Sequence, residues 1–206
     1  MQGTGRGTAV EAEIQKFGAL AARWWDPSGP MKPLHRMNPL RTGWIARRIA
    51  KAHGRAGTDL SGLTLLDVGC GAGLASEAFA RMGARVTGLE AAPEALAAAR
   101  DHAASGGLAI DYRDGTPEML AAEGAAFDAV VSLEVIEHVE DRDAFLAALA
   151  GLVKPGGQVF LSTLNRTARS FLMAKLGAEY LLRLLPIGTH DWRMFVTPGE
   201  LGTGLR

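Results

Sequence analysis

Residues 133–139 read LEVIEHV and follow the apolar run Phe127-Asp128-Ala129-Val130-Val131-Ser132. If the segment turns helical, Glu134, Glu137 and His138 fall at i, i+3 and i+4 on one face. Three ionisable groups gathered at the end of a buried strand cost desolvation unless something uses them. An imidazole with an ordinary pKa near ~6.5 suits a general base. The bland alternative is that Glu137 and His138 begin a solvated helix. A second constellation lies upstream. Gly69, Gly71 and Gly73 follow the apolar run 63–68, and Glu90 ends the next apolar run, seventeen residues beyond Gly73. Glycines there let a backbone approach a ligand closely, and a strand-end acid can accept two hydrogen bonds from a ribose diol. Together they favour nucleoside binding. The spacing is G-x-G-x-G with Leu74 in the sixth place, which departs from the dinucleotide fingerprint, and no Lys-Ser/Thr follows to make a P-loop.

Positioning these groups requires strands that end where they stand. The spacing predicts a helix over 11–25, a break at Asp26-Pro27-Ser28-Gly29-Pro30, a loop through Met37-Asn38-Pro39, and a helix over about 40–53. From Leu63 the period changes. Strands are expected at 63–68, 85–90, 109–112, 126–133 and 158–164, with helices at 74–82, 93–102 and 142–153 between them. Strand and helix alternating at this spacing predict an α/β fold, a doubly wound parallel sheet with helices on both faces. Ligands of such sheets bind at the carboxyl ends of the strands.

Composition bounds the rest. The chain has 206 residues, 48% of them hydrophobic, enough for one domain with a sizeable core. Lys and Arg number 22, as do Asp and Glu, so no global basic field exists to hold nucleic acid. A single cysteine, Cys70, excludes an internal disulfide framework and fits a reducing compartment. The start MQGTGRGTAV has no apolar signal region, and no uncharged apolar stretch is long enough to span a bilayer. Residues 171–185, FLMAKLGAEYLLRLL, carry Lys175, Glu179 and Arg183 on one narrow stripe, with apolar residues at nearly every other position. Such a helix is buried core or an interfacial element, with Arg166, Arg169, Lys175 and Arg183 available to anionic headgroups.

The stretch LLDVGCGAG resembles the first motif of class I S-adenosylmethionine-dependent methyltransferases. The series RMNPLR (36–41), LDVGCGAG, SLEVIEHV, LVKPGG, FLSTLNR, GAEYLLR and Gly188-Thr189-His190-Asp191 resembles the ubiquinone-biosynthesis O-methyltransferase family, from about residue 17 onward. That resemblance implies a Rossmann-like class I methyltransferase sheet with S-adenosylmethionine as methyl donor. It implies cofactor contacts at Arg41, Asp67, Gly69, Gly71, Gly73, Glu90 and Leu133, with Asp114 as the acid on the adenine side. It implies that Glu134, Glu137 and His138 hold a divalent metal, magnesium first, with Glu137 and His138 catalytic. The implied substrate is a catechol on a polyprenylated ubiquinone precursor. The implied setting is cytoplasmic and peripheral on the inner membrane face, through residues 166–186, with a quinone-biosynthesis complex as partner. The single domain then divides into N-terminal helices (11–55), a cofactor-binding core (60–165) and an apolar lid or membrane-contact insertion (166–196). Five strands are counted. The class usually adds an antiparallel pair beside the fifth, so the last two strands are missing and an open apolar edge is expected.

Overall fold

The computed structural model describes residues 7–163. Five strands, β1 (Thr64–Val68), β2 (Arg85–Glu90), β3 (Asp111–Asp114), β4 (Phe127–Leu133) and β5 (Val153–Ser162), form one sheet in the order β3-β2-β1-β4-β5. Every pairing is parallel. The order reverses at β1, so the crevice above the carboxyl ends of β1 and β4 is where such a sheet takes its ligand. The expected sheet is thus present. The fifth strand starts earlier than expected because Lys154 to Gly157 bulge out between the Phe127↔Val153 and Ala129↔Gln158 pairs.

Helices cover both faces. Alternation along a strand sends Leu65 to one side and Leu66 to the other. Leu65, Val86 and Val131 pack with Ile49 of α2 (Lys32–Ala52) and Phe79 of α3 (Leu74–Arg81). Leu66, Leu89 and Val130 pack with Leu120 of α5 (Pro117–Ala122) and with Phe145 and Leu149 of α6 (Arg142–Gly151). The helix α4 (Pro93–Ser105) buries Leu96 and Ala99 against Tyr112 and Cys70. The N-terminal α1 (Glu11–Leu20) continues into a 3-10 turn at Ala21–Arg23 and rests Ile14 on Ala92 and Ala95. At the opposite end of the sheet from the crevice, Asp128 accepts from Thr64 N, Thr64 Oγ1 and Lys154 Nζ at 2.8, 2.7 and 2.9 Å, tying β1, β4 and β5 together.

Two expectations change. The loop through Met37-Asn38-Pro39 is helical: α2 begins eight residues early, with Pro33 in its first turn and Pro39 in its interior. Pro39 is exposed, so the carbonyl deprived of a donor has water within reach, and Thr42 Oγ1 donates to Asn38 O at 2.7 Å. The third strand lies two residues later than expected, which puts Asp114 at its end, paired in register with Glu90. The helix expected over 171–185 and the insertion over 166–196 lie outside the described residues.

Candidate active site

The glycine turn stands at the switch point. Gly69, Gly71 and Gly73 have φ of +69°, +54° and +88°. A Cβ on Gly69 would collide with Val135, and one on Gly71 with the Trp24 ring. Glu90 braces this turn. Its Oε2 accepts from Gly71 N at 2.8 Å, and its Oε1 accepts from Ala91 N and Ala92 N at 2.9 Å each. Burial pushes the Glu90 carboxyl upward while these amides pull it down, and Asp114 beside it pushes further up. Asp67, at the end of β1, is buried and accepts from Ser76 Oγ at 2.6 Å. Burial raises its pKa to about 6 against the pull of Ser76 and Arg41.

Arg41 projects from α2 into this region. Its Nε donates to Asn38 Oδ1 at 3.3 Å, and its buried Nη1 has no hydrogen-bond partner among the described residues. Burial lowers its pKa, and Asp67 and Glu134 raise it again. The structure therefore brings Arg41, Asp67, the three glycines and Glu90 to one crevice. Leu133 ends β4 at the same level, and Asp114 is exposed at the end of β3. A buried and a half-buried carboxylate, a guanidinium whose Nη1 is unpaired among the described residues and a glycine turn fit a cationic, carboxylate-bearing nucleoside such as S-adenosylmethionine.

The acidic turn differs from the one-face helix expected. Glu134 has φ +59°, and only Ile136–His138 make a single 3-10 turn. The left-handed φ keeps Glu134 out of a right-handed helix, and its N donates to Ser162 O at 2.9 Å, so it still ends the strand. Glu134 Oε1 accepts from Ser162 Oγ at 2.7 Å, and Glu137 Oε2 from Thr163 Oγ1 at 2.9 Å. Burial, with the Glu134 charge behind it, raises the Glu137 pKa to about 7. His138 is aimed elsewhere. Its Nδ1 lies 2.9 Å from Glu13 Oε2 on α1, and its ring meets Phe17 edge-on at 5.3 Å. Among the described residues no three His, Cys, Asp or Glu side chains are grouped as a metal centre, so the expected trio does not fit one. The two carboxylates do share a site; the imidazole does not join them.

Other residues complete the site; Trp24 and Trp25, which with Trp44 and Trp192 could by sequence either line a quinone pocket or simply pack, sit at the glycine turn. Trp24 is buried on the glycine turn, and Trp25 Nε1 donates to Ala72 O at 2.9 Å. Trp25 also stacks on His102 at 3.4 Å, and His102 Nδ1 lies 2.6 Å from Glu77 Oε1. Asn38 Nδ2 donates to Leu74 O at 2.8 Å, pinning α2 to the start of α3. Ala9 bridges to Val139, and Glu140 N donates to Thr8 O at 2.9 Å. The N-terminal arm thus lies over both the glycine turn and the acidic turn.

Comparison with known proteins places this architecture. Residues 66–161 match the model of a methyltransferase domain. The fold resembles a magnesium protoporphyrin IX methyltransferase from Synechocystis PCC 6803 with bound SAH, with a TM-score of 0.60 and 22% identity over 82% of this chain and 70% of that one. It also resembles the plantazolicin methyltransferase BpumL in complex with SAH, with a TM-score of 0.64 and 15% identity over 94% of this chain and 75% of that one. A ubiquinone biosynthesis O-methyltransferase of Cereibacter sphaeroides is 53% identical over 94% of this chain and 80% of its own length. A protein of the same name from Ruegeria pomeroyi is 52% identical over 97% of this chain and 82% of its own. A parallel sheet with a glycine turn at its switch point, together with identity at this level, makes the chain an S-adenosylmethionine-dependent methyltransferase belonging to the ubiquinone biosynthesis O-methyltransferase family.

Proposed function

We propose that the protein methylates a catechol hydroxyl on a polyprenylated ubiquinone precursor, of the 3-demethylubiquinol or 2-polyprenyl-6-hydroxyphenol type. One observation carries the reading. Val135 packs so closely on Gly69 that the turn bearing Glu134 and Glu137 lies directly against the cofactor turn. Carboxylates in that place stand beside the reacting hydroxyl. When bound, S-adenosylmethionine supplies an activated methyl group, so the protein's tasks are alignment, exclusion of water and removal of a proton. Arg41, Asp67, Glu90, the glycine turn and Leu133 hold the donor, with Asp114 toward its adenine. Trp24 and Trp25 keep water off the glycine turn. Glu137, buried and titrating near neutrality, takes the phenolic proton at its carboxylate; His138, held by Glu13, keeps the arm and the acidic turn together.

A second reading rests on Glu134 and Glu137 standing on one turn, bonded to the adjacent hydroxyls of Ser162 and Thr163. Two carboxylates suit magnesium, which is bound through one or two such groups and keeps several waters. The ion would lower the pKa of a bound hydroxyl. Methyl transfer to a short-tailed catechol, run with magnesium and with chelator, tests both. Transfer that survives chelation gives the proton to Glu137 alone. Transfer only with magnesium gives the carboxylate pair to the ion. No transfer under either condition overturns O-methylation of this substrate. Attachment of the protein to anionic membrane through residues 166–186 is a further part of the proposal. Its support is the apolar run 171–185 and its flanking cations, and its test is liposome flotation with and without anionic lipid.

A further inference from the structure

One cavity shares only its inner end with the cofactor site and the acidic turn. A groove of about 710 Å³ runs between α2 and β5, within the size range of small-molecule sites. One wall is a stripe of α2, Met37, Leu40 and Trp44, at i, i+3 and i+7. The other is Phe160 of β5; its neighbours Val159 and Leu161 border the groove but send their side chains to the opposite face of the sheet. Trp44 meets Phe160 edge-on at 6.2 Å. Leu40 is 77% and Trp44 47% exposed, so the stripe presents large apolar side chains to water while Ile49 of the same helix is in the core. Clustered exposure of this kind marks a binding surface.

The two ends of the groove differ in chemistry. The inner end is Arg41, Leu133 and Ser162. Ser162 Oγ donates to Glu134 Oε1, so this end opens on the acidic turn. At the opposite end Trp44 carries the Arg48 guanidinium 3.3 Å over its ring. A ligand that fills the groove therefore has a polar head at the acidic turn and an apolar body leading away from it. One helical stripe and the single strand side chain of Phe160 are too narrow for a stable protein interface, which buries about 800 Å² on each partner. The strip suits a single slender hydrocarbon chain.

We propose that the groove is the side-chain channel of the methyl acceptor. The phenolic ring lies at the Ser162 end, and the isoprenoid tail runs along Met37, Leu40, Trp44 and Phe160. The proposal rests on the phenol-methylation reading above and assigns specificity for the tail to α2. Leu40→Glu and Trp44→Ser test it on exposed positions, where the fold is not at risk. The readout is kcat/KM for an isoprenoid-tailed catechol divided by that for the same ring without a tail. Each variant should lower this ratio about tenfold, since a few buried methylenes are at stake. A ratio unchanged in both variants overturns the channel, whether activity falls equally for the two substrates or not at all. Calorimetry of farnesol binding to the full chain separates this proposal from the reading it rests on. About tenfold weaker binding to Leu40→Glu than to wild type, with neither catechol turned over, would keep the groove and remove the phenol reaction. Equal binding by both proteins would remove the groove.

Discussion

Burial moves the Asp67 and Glu137 carboxyls toward neutrality, to pKa values of about 6 and about 7. For Asp67 the cause is burial, and the sign follows. A carboxyl whose folded pKa lies above its unfolded value near 3.8 binds a proton more tightly when folded, so stability falls as pH rises from about 4 to about 6 and stays low above that. Asp67→Asn should therefore be more stable than wild type at pH 8, by on the order of 2 kcal/mol, with the gap closing by pH 4 in denaturant melts. The same variant should bind S-adenosylhomocysteine more weakly, and wild-type affinity should drop below pH 6 as the carboxylate is protonated. Glu137→Gln should lower turnover at least about 100-fold, the usual worth of a proton-transfer group, while calorimetric affinity for S-adenosylhomocysteine stays within about twofold. Lost affinity with unchanged turnover would move Glu137 out of the reaction. The desolvation of Glu137 was legible in its place after a buried strand, but the partners that set both perturbations come from elements that only the fold brings together.

At the scale of elements, the site depends on how two helical segments are pinned to the glycine turn. Asn38 joins α2 to α3 across 36 residues of sequence. Asn38→Ala removes a buried donor from the Leu74 carbonyl and should cost about 1–2 kcal/mol in chemical denaturation. The arm that carries Trp24 and Trp25 is held from the other side. Gly71→Ala should strain a backbone at φ +54° and displace Trp24. Tryptophan emission should shift to the red and cofactor affinity should fall; an unshifted spectrum would mean the arm is placed without that contact. Element types were legible because hydrophobic period is local: β1, β2 and β4 begin and end within one residue of the pattern. The misplaced start of α2 has an equally definite reason. Pro39 signals a break, but its side of the helix faces solvent, and Asn38 and Thr42 stabilise the turn from the buried side. The short α5 was missed because six residues are too few to show a period.

For the whole molecule, the crevice joins β1, β2 and β4 with α2 and the N-terminal arm, so a ligand bound there stabilises all of them at once. S-adenosylhomocysteine at 100-fold its Kd should add about 2.7 kcal/mol. That should raise the Tm by roughly 5–10 °C in a domain of this size, and an unmoved Tm at saturating ligand would place binding outside the crevice. The sequence by itself determined the parallel sheet, its switch point, and the family. Strand period, glycines after β1 and an acid ending β2 are local patterns, and the family motifs are strings of adjacent residues. Tertiary structure alone decided who meets whom. His138 pairs with Glu13 of α1, Trp24 covers Gly71, and Glu134 stays tied to Ser162, so three ionisable groups expected on one helix face became a carboxylate pair and a separate imidazole. The physical reason is that periodicity says which face of an element is buried, whereas the partner on that face comes from chain segments that only folding brings near.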